Sequence, residues 1–88
     1  MLASRTLRVS DRVIFKPVGD EMVLLDFQSG MYYGLDPVGA RIWQLLAAEH
    51  SLGDVVQTIL GEYDVAREEV ERDIDRLVEE LERRGLVT

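Results

Sequence analysis

The segment Leu24–Trp43, LLDFQSGMYYGLDPVGARIW, changes from a strand pattern to a helix pattern and decides the fold. Its first half alternates as a strand does, and QSG in its middle is typical of a tight turn in which Gly30 adopts a positive φ. The dipeptide Asp36–Pro37 then begins a helix, because aspartate caps helices well and proline is tolerated at the first helical position. The segment therefore predicts an antiparallel hairpin followed directly by a helix.

Two further helices follow this one, and one further strand precedes the hairpin. Strand-forming residues bounded by turn residues place the strands at Arg12–Pro17, Glu21–Gln28 and Met31–Leu35. Apolar residues at helical spacing place the helices from the Asp36 cap to about Glu49, from the Ser51 cap to about Gly61, and from about Asp64, a candidate cap, to about Arg84. Gly85 stops the last helix, and Leu86–Val87 is expected to fold back onto the core.

This order of elements predicts one α+β domain over residues 1–88, a three-stranded antiparallel sheet followed by three helices. The helices are expected on one side of the sheet. Residues 1–10 show no clear period, and we expect them to be loosely ordered.

The composition is that of a folded domain, with 47% hydrophobic and 31% charged residues. The formal net charge is −7, and nine of the 17 acidic residues lie between Asp64 and Glu82. Such a chain repels a phosphate backbone, so nucleic acid is not an expected partner. No apolar run is long enough for a membrane-spanning helix, and no membrane association is expected. The absence of cysteine fits a cytoplasmic location.

The sequence offers no catalytic or metal-binding constellation. The single histidine, His50, ends a predicted helix, where a solvated side chain favoured by the helix dipole is the simplest interpretation. Without cysteine or a second histidine, a zinc site is not expected. No nucleophile elbow and no phosphate-binding loop is present. We therefore predict a protein that is not an enzyme and that carries no metal or cofactor.

The third strand, Met31–Leu35, is the most informative segment for binding. Because side chains alternate along a strand, Met31, Tyr33 and Leu35 are expected to face the helices, and Tyr32 and Gly34 the opposite side. Tyr32 on that opposite side either contributes to binding or merely covers the back of a thin sheet. In a meander this strand has one unpaired edge, and it contains no charge or proline to protect it. An extended peptide can pair with such an edge, and so can a second copy of the chain in a homodimer.

The last helix is the candidate for a second wall. Its apolar residues are explained either as core alone or as a stripe whose margin, Val70, Asp73, Ile74 and Leu77, lines a groove against Tyr33 and Leu35. An acidic flank of the helix is either a solvated face or a surface that attracts basic partners. The members of that flank are Glu68, Glu71, Asp75, Glu79 and Glu82.

Two long segments resemble the PqqD-like family of RiPP recognition elements, small domains that bind leader segments of ribosomally made precursor peptides. They are VLLDFQSGMYYGLDPVGARIWQLL and VVQTILGEYDVAREEVERDIDRLVEELERRGLV. The YGLD step into GARIWQLL, the YDV before the last helix and the final GLV carry the resemblance, which covers about residues 12–88. Where relatives often have asparagine before the first helix, this chain has Asp36, which caps equally well.

The resemblance implies a winged helix-turn-helix domain in which the leader adds an antiparallel strand to Met31–Leu35, beside Val70–Leu77 of the third helix. A free-standing domain of this length is most similar to the leader-binding protein of lasso-peptide pathways. It would present the precursor to a separate cysteine-protease-like leader peptidase, which acts before an ATP-dependent cyclase. The alternatives are a PqqD-type chaperone for a radical enzyme in pyrroloquinoline quinone or other modified-peptide synthesis, and a winged-helix DNA-binding protein. The acidic last helix disfavours the DNA-binding protein.

Overall fold

The computed structural model describes residues 3–88, which form three strands followed by three helices. The strands are β1 (Val13–Val18), β2 (Glu21–Asp26) and β3 (Met31–Leu35), and the helices are α1 (Pro37–Ala47), α2 (Leu52–Glu62) and α3 (Arg67–Arg83). The predicted α+β class and element order are confirmed, and the arrangement is compatible with a winged helix-turn-helix. None of the helices formed by these residues has the length and apolar composition that crossing a bilayer requires.

The sheet is an antiparallel meander in the order β1-β2-β3, with β2 in the centre. Leu24 of β2 lies opposite Phe15 on one side and Tyr33 on the other, so all three point toward the helices. Beneath them Trp43 of α1 is fully buried, and the Phe15 ring meets it edge-on with the ring centroids 5.5 Å apart. This contact joins the sheet to the first helix and marks the middle of the core.

The start of α1 and the start of α2 are capped as predicted. The Asp36 side chain accepts a hydrogen bond from Gly39 N at 2.8 Å, and the Ser51 hydroxyl accepts one from Asp54 N at 3.1 Å. The prediction that Asp64 caps α3 is wrong, because the helix begins only at Arg67 and its N-cap is Ala66, which makes no side-chain cap bond.

The second strand is shorter than predicted because its last residue starts the turn. Asp26 Oδ1 accepts hydrogen bonds from the backbone N–H groups of Gln28 at 3.0 Å and Ser29 at 3.4 Å. Gly30 completes the turn with φ of 77°, as the QSG motif predicted.

Residues 3–10 differ from the expected loosely ordered start, since they bridge two distant parts of the chain. Thr6 pairs with Ser51 at the start of α2, and Val9 pairs with Val87 near the C-terminus. Leu7 between them is 1% exposed. Isolated bridges leave no period in the sequence, which is why the pattern predicted no order here. Met1 and Leu2, the rest of that prediction, lie outside the described residues. Leu86 and Val87 fold back onto the core as predicted.

An ion pair between a buried carboxylate and a half-buried arginine connects the sheet to the end of α3. Asp26 is 4% exposed, and its Oδ2 accepts a hydrogen bond from Arg12 Nε at 3.1 Å. Arg12 Nη2 also donates to the backbone carbonyl of Arg84 at 3.2 Å. Burial alone would raise the pKa of the Asp26 carboxyl, but hydrogen bonds from Gln28 N, Ser29 N and Arg12 outweigh it and hold the pKa below its ordinary value.

We predict that Asp26→Asn destabilises the protein at neutral pH. Because the pKa is lowered by folding, the carboxylate stabilises the fold above the unfolded-state pKa of about 3.9. That contribution is lost as the pH falls through the folded-state pKa. The urea midpoint of the variant, followed by Trp43 fluorescence, should therefore lie below the wild-type midpoint at neutral pH and approach it in acid. Asp20→Asn, in an exposed turn, is the control for charge. Equal differences at both pH values would contradict the account.

We predict that Gly85→Ala destabilises the protein by about 1–2 kcal/mol. Gly85 has φ of 71°, and a Cβ there would overlap Arg12 Nη2, which would have to leave the Arg84 carbonyl. Gly61→Ala is the matched control, because no atom lies within 4 Å of its Cβ position and α2 is helical there. The control should be neutral or slightly stabilising in thermal unfolding. Similar melting temperatures for both variants would count against the Arg12 contact.

Candidate binding groove

The third strand has one edge without a partner. Among residues 3–88, β3 pairs with β2 alone, so its other side presents main-chain N–H and C=O groups. The opposite edge of the sheet, β1, contains Lys16 and Pro17, both of which discourage pairing with a foreign strand. Since β3 contains neither a charge nor a proline, only the β3 edge is left without this protection.

A groove of about 650 Å³ lies beside this edge. Gly34 and Leu35 of β3 form part of one side, and Val70, Asp73, Ile74 and Leu77 of α3 form part of the other. The rest of the lining comes from Asp36, Val38, Gly39, Ile42, Ile59, Tyr63, Val65, Glu69, Arg76 and Glu80. The space is large enough for several side chains of an extended peptide.

The groove combines a rigid base with an exposed apolar rim. Ile74 is fully buried and Val70 is 5% exposed, so these two residues belong to the core as well as to the groove. Val38 and Val65 are instead 37% and 38% exposed. A ligand that fills the groove would therefore remove apolar surface from water without rearranging the core.

Just outside the groove lining, β3 contacts Arg84, the residue that follows α3. The Arg84 guanidinium lies 4.6 Å from the centre of the Tyr33 ring, a cation–π geometry. Arg84 Nε also donates to Glu80 Oε1 at 2.5 Å, and Arg83 donates to the other Glu80 oxygen at 2.6 Å. The hydrogen bond from Arg84 lowers the pKa of Glu80. The carboxylate therefore stays ionised, and its negative charge is balanced by the neighbouring arginines.

Six of the nine predicted site residues line the groove, namely Gly34, Leu35, Val70, Asp73, Ile74 and Leu77. Tyr33 packs against the core, and Tyr32 on the opposite face is 68% exposed, as predicted. Met31 lies on the same face of the sheet as Tyr33, as predicted, because it is paired with the buried Asp26, but at the hairpin end of β3 its side chain is still 51% exposed. Whether these residues contact a peptide stays a prediction.

Sequence reasoning missed the groove residues contributed by α1, by α2 and by the segment between α2 and α3. Val38, Ile42 and Ile59 follow the apolar period of their helices, and nothing in that period separates a core residue from one beneath a groove. Val65 lies between helices, where no period exists. The predicted acidic flank also contributes no groove residue; the groove carboxylates of α3 are instead Glu69, Asp73 and Glu80.

The groove does not have the composition of a metal centre. No group of three or more histidine, aspartate or glutamate side chains in residues 3–88 is placed to hold a metal ion. Its lining is mainly aliphatic, with charges at the rim. Such a lining suits apolar side chains of a ligand better than an ion.

Comparison with known proteins supplies a family. The model of the family described as coenzyme PQQ synthesis protein D (PqqD) matches residues 21–87, which span β2 to the C-terminal segment. No curated protein matches the chain.

Two solved structures are similar over nearly the whole chain. One is TbiB1 in complex with the TbiA(beta) leader peptide, at 41% identity and a TM-score of 0.87, covering 91% of this chain and 93% of that one. The other is lasso peptide synthetase B1 complexed with the leader peptide, at 37% identity and a TM-score of 0.87, covering 96% of this chain and 99% of that one. The resemblance drawn from the sequence is confirmed, and the chain belongs to the PqqD family.

Proposed function

We propose that this protein is a non-catalytic adaptor that binds the leader segment of a ribosomally synthesised precursor peptide. The leader pairs with β3 by β-augmentation, places side chains in the groove beside α3, and is presented to a separate leader peptidase in lasso-peptide maturation. The observation that supports this best is an apolar groove beside an unprotected strand edge. Two leader-peptide complexes share the fold at a TM-score of 0.87.

The edge and the groove suit an extended peptide in different ways. Main-chain groups of β3 supply hydrogen bonds that do not depend on the peptide's sequence, whereas the groove selects side chains. Alternate residues of the guest strand point toward the groove and meet Val38, Val65 and Leu77. A short strand with two apolar anchors corresponds to about −8 kcal/mol, or a Kd of about 1 μM.

The family description favours a second candidate, a PqqD-type chaperone for a radical enzyme in pyrroloquinoline quinone or other modified-peptide synthesis. We prefer the lasso pathway because both solved neighbours, at 41% and 37% identity, hold leader peptides and one is a lasso peptide synthetase B1. Adding the protein to a leader-peptidase assay separates the two candidates, since only the lasso role predicts faster cleavage of the precursor.

The peptide-binding role is tested by Gly34→Pro, which removes a main-chain N–H from β3. We predict at least about 10-fold weaker binding of a fluorescently labelled leader peptide of a lasso-peptide precursor, since main-chain pairing supplies much of the affinity. Fluorescence anisotropy measures the binding, and circular dichroism checks that the variant is folded.

Gly34→Ala is the matched control. It keeps the N–H, and its Cβ would meet no atom within 4 Å in the free protein. We expect near wild-type binding by this variant. If a folded Gly34→Pro variant binds the leader as tightly as the wild type, strand addition at β3 is wrong.

The groove is tested by Leu77→Ala, which shortens a half-buried side chain of its α3 wall. We predict about 5- to 10-fold weaker leader binding, because one apolar anchor loses its contact. Leu60→Ala is the control: Leu60 also packs at the margin of the core, but it does not line the groove.

Both leucine variants should lose similar stability in urea unfolding, about 1–3 kcal/mol each, so that only binding distinguishes them. Equal affinities for the leader in the two variants would place the binding site outside the groove.

A further inference from the structure

Two carboxylates at the rim of the groove have no ionic partner in the part of the chain that the structure describes. They are Glu69 and Asp73 of α3, both exposed. The other two groove carboxylates are occupied: Asp36 caps α1, and Glu80 pairs with the two arginines at the end of α3. Glu69 and Asp73 are therefore the negative charges of the groove that are available to a ligand.

The spacing of these two residues places them on the same side of the helix. Residues four apart in an α-helix are neighbours, and like charges at that spacing weaken the helix slightly. The same helix elsewhere forms opposite-charge pairs at that spacing, Arg67–Glu71 and Glu79–Arg83, each with an N–O distance of 3.7 Å. A cation from a ligand, placed between Glu69 and Asp73, would relieve their repulsion.

The charges also give the groove a direction. Arg84 lies over Tyr33 beyond Glu80, the last α3 residue of the lining, while Asp73 and Glu69 lie about 16 and 22 Å from Arg84 along the helix axis, at 1.5 Å per residue. Arg76, the one cation that lines the groove among residues 3–88, lies between Asp73 and Glu80 in the helix sequence. The β3 chain runs from Met31 past Tyr33 to Leu35 and then to α1. The free carboxylates therefore lie toward the α1 end of the groove.

We propose that the groove selects leaders with a lysine or arginine on the N-terminal side of the residue that fills the apolar part, and that Glu69 and Asp73 determine this preference. The inference rests on the proposed function. A guest strand antiparallel to β3 has its N-terminal end at the α1 end of the groove, where these carboxylates lie. An acidic residue at that position would be repelled, and the pair would accept one cation through charge-assisted hydrogen bonds.

The test is selection of short random peptides displayed on phage by the immobilised wild-type protein and two variants. One variant is Glu69→Gln with Asp73→Asn. The other is Glu68→Gln with Asp75→Asn, which makes the same change in net charge at exposed positions of α3 outside the groove. We expect the wild type and the second variant to enrich a basic residue N-terminal to apolar anchors, and the first variant to lose this enrichment.

Affinity measurements on one selected peptide complete the test. Replacing its basic residue by norleucine should weaken binding to the wild type about 3- to 10-fold in low salt and much less in near-molar salt, and should leave binding to Glu69→Gln/Asp73→Asn unchanged. The inference would be overturned if the wild type enriched apolar anchors without a basic residue. It would also be overturned if all three proteins enriched the basic residue equally. Either result would leave the proposed function standing. If the wild type selects no peptide and does not bind its leader, the proposed function fails with it.

Discussion

A strand edge whose hydrogen-bonding groups have no partner within the described chain is the constraint on which this structure depends. Main-chain N–H and C=O groups must form hydrogen bonds with water or with another chain. An edge without charged residues does not prevent a foreign strand from taking the place of water. The same sheet protects its β1 edge with Lys16 and Pro17 and leaves β3 without such residues. The groove beside β3 is what makes this edge selective, because a guest strand must also fit side chains between β3 and α3.

The rest of the fold keeps the groove open by fixing its walls separately. Arg12 connects Asp26 at the end of β2 to the Arg84 carbonyl beyond α3, and the Val9–Val87 bridge holds the segment after that helix. On the surface, Arg41 of α1 donates to Glu62 at the end of α2 at 2.8 Å. These contacts lie outside the groove lining, so a ligand in the groove would not have to break them.

Local patterns in the sequence were sufficient for most of the fold and for part of the site. The Asp36 and Ser51 caps and the inward Tyr33 follow from short-range rules, and the structure confirms them. The bridges of Thr6 and Val9 join residues far apart in the chain and leave no pattern. Val38 and Val65 were missed for a related reason, since membership of a groove depends on how helices pack and not on the period of any one helix.

Amide hydrogen exchange along Met31–Leu35, measured with and without saturating leader peptide, tests strand addition at β3 most directly. The account predicts that the amides on the open side of β3 exchange rapidly in the free protein and at least about 10-fold more slowly in the complex, because the guest's carbonyl groups accept their hydrogen bonds. Unchanged exchange throughout β3 in a protein saturated with its leader, with protection appearing elsewhere, would contradict it.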